Sequence, residues 1–179
     1  MKETVIDPIK PADPVVDAIA DRLLGRGERL VVAESLTGGA LAGRLTAVAG
    51  ASRWFLGGFV TYADSAKRDW LGLSSEILER EGAVSPEAVR AMLSGLRRRT
   101  EAEWMVATSG YAGPAGDPPG RVYVGWDRRR PTPGWPLIRR FDFQGDRAAV
   151  RDQTIQRALQ GLLDGLSPDP GSPEALIPG

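Results

Sequence analysis

"VVAESLTGGALAGRL", residues 31–45, passes from a short apolar run through a serine, a threonine and two glycines into leucines at helical spacing. That order predicts a buried strand, a polar turn and a helix, the repeating unit of an α/β fold. The turn also carries the functional question. Ser35 reads either as the cap of the helix or as a nucleophile, and Gly38 with Gly39 would let a phosphate or an oxyanion approach the backbone amides without a Cβ in the way. The stretch lacks the lysine and spacing of a P-loop, and it lacks the G-x-S-x-G order of a hydrolase elbow.

Strands and helices alternate on both sides of it. Asp13 followed by Pro14 marks a helix start, and Val15, Val16, Ile19, Leu23 and Leu24 form a stripe running to Gly25 or Gly27. Beyond the opening stretch, Val48 extends the helical side until Gly50 closes it. "WFLGGFVTY" (54–62) reads as a strand in which Gly57 and Gly58 signal a bulge or a close backbone approach. Short helices follow from Asp64 and near "SSEILERE" (74–81), and Ser85 with Pro86 and Glu87 marks a longer one. "EWMVATSG" (103–110) is a strand, "GRVYVGWD" (120–127) and "LIRRFDF" (137–143) form a hairpin, and a last helix begins near Asp146. These elements predict a three-layer α/β/α sandwich with a mixed, mostly parallel central sheet. One domain is expected over 13–164, between proline-rich tails at 1–12 and 165–179.

Composition removes much of enzyme chemistry. The 179 residues include no histidine and no cysteine, so the Ser-His-Asp relay, thiolate nucleophiles, imidazole metal sites and disulfides are all excluded. No metal and no cofactor is expected. The 23 basic residues balance 23 acidic ones, which offers no global field for a polyanion, and nucleic acid is not expected as a partner. The runs Arg97-Arg98-Arg99 and Arg128-Arg129-Arg130 read as a helix end and a hairpin loop. Apolar runs are too short to span a bilayer and no secretory leader opens the chain, so no membrane is expected and the location is read as cytoplasmic. Of only three lysines, Lys2 and Lys10 fall in the first tail, leaving Lys67 alone in the body of the fold.

Three polar junctions follow strands: "AESLTGG", "VTYADSAK" and "ATSGYAGPAG". Ligands of open α/β sheets bind beyond the carboxyl ends of strands, so the three are expected to converge. With no imidazole, Lys67 and Tyr62 are the groups able to take a proton from a serine. Five residues apart, they would lie about 140° apart on one continuous helix. If Tyr62 ends a strand and Asp64 caps the next helix, both heads can enter one cleft. Ser65 is a rival nucleophile, but positions i and i+2 do not face each other on a helix. Thr108 and Ser109 add hydroxyls, and Gly110 and Gly113 open amides, suited to an amide or a phosphate. Arg147 stands in the first turn of a helix, where its charge is unfavourable unless an anion or Asp146 offsets it.

"AESLTGGALAGRLTAVAGASRWFLGGFVTYADSAKRDWLGL", "EGAVSPEAV", "SGYAGP" and "GDRAAVR" occur in the order and spacing of the CinA C-terminal domain family, which includes the nicotinamide-nucleotide amidases, and the chain resembles that family over about residues 13–164. The resemblance implies a catalytic set of Ser35, Tyr62 and Lys67 that hydrolyses the carboxamide of nicotinamide mononucleotide (NMN) to nicotinate mononucleotide and ammonia, in pyridine nucleotide recycling. It also implies a small nucleotide partner and self-association into a homo-oligomer. Thr37, Gly38, Gly39, Ser109, Gly110, Gly113 and Arg147 are the candidates for substrate binding. The chain differs from the family pattern at Leu36, where cysteine is common, at Asp64, where asparagine is common, and in a shortened segment after "AGP" that lacks a family lysine. A family member without turnover, binding a nucleotide or a protein, is the alternative, and ammonia release separates the two.

Overall fold

A computed structural model describes residues 13–113 and 117–167. The tail expected over 165–179 overlaps the last helix, which runs to Gly165 and is capped by the buried Leu166; the tail readings for 1–12 and 168–179, and residues 114–116 of the shortened segment, lie outside the described residues. Five strands, β1 (Leu30–Glu34), β2 (Phe55–Val60), β3 (Trp104–Gly110), β4 (Arg121–Arg128) and β5 (Leu137–Asp142), make one sheet in the order β2-β1-β3-β4-β5. β1 pairs in parallel with β2 and β3, and β4 is antiparallel to both β3 and β5. All strands but β4 therefore point the same way, the mixed and mostly parallel sheet read from the sequence.

Helices cover both faces. On one face α1 (Pro14–Arg26), α2 (Ala40–Leu45) and α6 (Arg147–Gly165) bury Ile19, Leu41 and Leu159 against Leu30, Val32 and Val106. On the other, α3 (Asp64–Leu71), α4 (Ser75–Arg80) and α5 (Pro86–Arg99) bury Leu71, Val89 and Met92 against Val31, Ala33 and Met105. The period-2 alternation of the strands divides these two cores. Four helix starts are fixed locally, that of α4 by Ser74, which accepts from Ile77 N. Asp13, Ser85 and Asp146 accept from the backbone N–H of Val15, Ala88 and Ala149, and Gly27 ends α1 in the left-handed conformation its φ of 63° requires.

Two local expectations are refined. α2 stops at Leu45 rather than near Gly50, because the Thr46 hydroxyl donates back to the carbonyls of Ala42 and Gly43. Val48 still packs on the same core. Gly57 and Gly58 do different jobs: the β1–β2 register shifts just before Gly57, whose φ is 141°, while a Cβ on Gly58 would sit 2.9 Å from Val32 Cγ2 and 3.3 Å from Ala42 Cβ.

The arginine runs are structural. Arg97 pairs with Asp127 at 2.7 Å and donates to the carbonyls of Arg128 and Arg129, while Arg98 and Arg99 both donate to Leu71 O. Arg129 donates to the carbonyls of Ala102, Arg97 and Thr100. Among the described residues no helix is long and apolar enough to cross a membrane.

Candidate active site

The three junctions meet because β2, β1 and β3 are parallel neighbours and all end at the same edge. Hydrogen bonds carry the pairing one residue past the strands: Thr61 N donates to Glu34 O at 2.8 Å and Ser35 N to Thr108 O at 3.0 Å. Ser35 therefore stands opposite Thr61 on one side, with strands spaced about 4.8 Å apart. Alternation then sorts the side chains. Val31 and Ala33 face the α5 core, so Ser35 falls on that face, and Ser109, whose hydroxyl donates to Ala83 O at 2.6 Å just ahead of α5, shares it.

Glu34 points the opposite way. Its carboxylate, fully buried, accepts from the amides of Gly39 (2.9 Å), Leu41 (3.1 Å) and Ala42 (2.8 Å) at the start of α2. The sequence suggested these amides for an oxyanion or a phosphate; the chain's own carboxylate occupies them. Gly38 and Gly39, with φ of 59° and 92°, make the reversal that brings the amides back over Glu34. Gly38 N donates to Ser35 O. Among the described residues the amides of Leu36 and Thr37 have no partner, and they directly follow Ser35.

Lys67 is on the Ser35 face, on α3, with 2% of its side chain exposed. Its Nζ donates to Tyr62 O and to Asp64 Oδ1, both at 3.1 Å. Asp64 is the first residue of α3, whose cap is Ala63. The Tyr62 side chain goes to the other face: it is 58% exposed, and its hydroxyl accepts from Arg147 Nη2 at 2.9 Å. Tyr62 thus meets Lys67 through its backbone and not through its phenol.

On that second face Thr37 and Thr108 share a hydrogen bond of 3.0 Å between their hydroxyls, and Arg151, one turn after Arg147, donates to Thr37 O at 2.8 Å. Arg147 lines a cavity of about 280 Å³ with Gly113, Gly120 and Gly145, and a Cβ on Gly113 would lie 3.9 Å from its Nη1. A Cβ on Gly110 would collide with Val122 at 2.7 Å, so that glycine answers to packing on β4. Glu34, Thr61 and Arg151 were not singled out from the sequence. A glutamate closing an otherwise apolar strand was the one available signal.

A model of the CinA C-terminal domain matches residues 12–166. The chain belongs to the CinA C-terminal domain family. It is 39% identical over 157 residues to the nicotinamide-nucleotide amidohydrolase PncC of Pseudomonas putida, covering 86% of this chain and 96% of that protein. It is 41% identical over 155 residues to a CinA-like protein of Synechococcus, covering 84% of this chain. The chain spans only 36% of the length of that relative. Among solved structures, the competence damage-inducible protein A of Klebsiella pneumoniae superposes with a TM-score of 0.80 at 38% identity, covering 85% of this chain and 94% of that one. The CinA superfamily protein of Escherichia coli gives 0.79 at 34% identity, covering 91% and 93%.

Proposed function

We propose that this CinA-family protein is an amidohydrolase that converts NMN to nicotinate mononucleotide and ammonia. The observation that carries the proposal is a hydroxyl at the end of β1 and a buried lysine on α3, the helix after the neighbouring β2, set on the same face of the sheet in a chain with no histidine or cysteine. The P. putida relative of nearly the same length, named as a nicotinamide-nucleotide amidohydrolase, supports that substrate.

Ser35 Oγ attacks the carboxamide carbon as its proton passes toward Lys67. Amides directly after a nucleophile are suited to the oxyanion, which assigns that role to Leu36 and Thr37 N–H. Ammonia leaves with a proton, and water then releases the acid from Ser35. The phosphate sits across the strand edge on the α6 face. Arg147 and Arg151 put two guanidinium groups there beside the N-terminal turn of α6, neither in an ion pair among the described residues, and a dianion offsets both. Tyr62, held by Arg147, then borders the nucleotide rather than the proton path.

Ammonia release from NMN by purified protein is the test, with Ser35→Ala folded but inactive. A Ser35→Ala protein with full turnover would remove Ser35 as nucleophile. A second proposal, a family member that binds without turnover, draws on the Lys67–Asp64 ion pair at 3.1 Å, which ties up the amine. It is favoured if wild-type protein binds NMN and releases no ammonia.

A further inference from the structure

Thr61 is fully buried, and its Oγ1 has no hydrogen-bond partner. A buried hydroxyl left unpaired costs about 1–3 kcal/mol, and few buried polar groups are left so in folded proteins. Its place is specific. The register sets Thr61 opposite Ser35: Val31 pairs with Gly57, Ala33 with Phe59 and Glu34 with Val60, and Thr61 N continues the ladder onto Glu34 O. Phe59 and Ala33 pack in the α5 core, so two residues later Thr61 and Ser35 fall on that same face. The residue after Thr61 supplies the carbonyl that holds Lys67 Nζ. An orphaned hydroxyl thus stands on the Ser35 face of the neighbouring strand, one residue before the carbonyl that holds the amine.

Hydrogen-bond counting on Lys67 gives it a task. Nζ donates to Tyr62 O and Asp64 Oδ1, both acceptors, so one position on nitrogen remains: a third N–H in the ammonium form, a lone pair in the neutral one. We propose, building on the amidase reading, that Thr61 is the proton relay between Ser35 and Lys67. The Ser35 proton passes to Thr61 Oγ1 while the Thr61 proton passes to the Nζ lone pair. The electron pair left on Ser35 Oγ forms the bond to the carboxamide carbon as the carbonyl π pair moves onto oxygen; when that pair returns the C–N bond breaks, and the Lys67 ammonium, through Thr61 Oγ1, protonates the leaving nitrogen so that it departs as ammonia. Among the described residues no hydrogen bond joins the three groups; catalytic contacts commonly tighten only in the complex with substrate.

Thr61→Val keeps the shape and deletes the hydroxyl, and Thr61→Ser restores a hydroxyl without the methyl. Relay predicts that Thr61→Val lowers kcat for NMN about tenfold or more with KM unchanged, that Thr61→Ser recovers most of it, and that the Thr61→Val unfolding midpoint equals or exceeds wild type, because an unpaired polar group has been removed. Full kcat in Thr61→Val overturns the relay. So does a fall in midpoint with a proportionate loss of activity, which marks a structural hydroxyl. If wild type releases no ammonia, the amidase reading fails and the relay with it. If wild type and Thr61→Ser are active and Thr61→Val is equally active, only the relay fails.

Discussion

Glu34→Gln tests the arrangement that places Ser35. The carboxylate takes three amide N–H groups, two on Oε2 and one on Oε1. A glutamine in the same position has one acceptor oxygen. It does best by keeping Gly39 and Leu41 on that oxygen, which sets its NH2 against the N–H of Ala42. Stranding that buried donor costs about 1–3 kcal/mol, and the two retained bonds fall from charge-assisted to neutral strength, about 1 kcal/mol each. Removing a buried charge returns part of this. A net loss of about 2–3 kcal/mol follows, and for a chain of this length each kcal/mol moves the midpoint by roughly 2–4 °C. Thermal unfolding followed by circular dichroism should therefore show Glu34→Gln melting about 4–12 °C below wild type. A midpoint within about 1 °C of wild type would refute the three-amide clasp as the anchor of the Ser35 turn.

Lys67→Met fills the same buried space without the amine, and should lower ammonia release from NMN by about 10²–10⁴-fold while the circular dichroism spectrum stays native. Arg147→Ala should raise KM for NMN at least about tenfold and leave binding of free nicotinamide, which has no phosphate, unchanged; calorimetric titration of both ligands checks this. Gly58→Ala forces a methyl to 2.9 Å from Val32 Cγ2, and the overpacking should cost about 1–3 kcal/mol in urea unfolding with an unaltered m-value.

Most of the fold was legible because its signals are local. Asp13-Pro14, Ser85-Pro86 and Asp146 each announce a helix start within a few residues, and the apolar runs of β1 and β3 need only their own composition. The site was legible in part. Ser35, Lys67 and Arg147 stand out by type and position, and the missing histidine narrows the choice of base.

The sequence by itself determined which side chains were available for chemistry, and that the three polar junctions lie at strand ends. Tertiary structure decided which face of the sheet each one uses. Pairing of β2 with β1 set Thr61 beside Ser35, and the bend at Gly38 and Gly39 delivered the α2 amides to Glu34. The same packing sent the Tyr62 phenol to Arg147 while its carbonyl stayed with Lys67. Strand register and helix placement are set by contacts between residues far apart in the chain, and a period-2 pattern gives alternation within a strand without saying which neighbour lies across it.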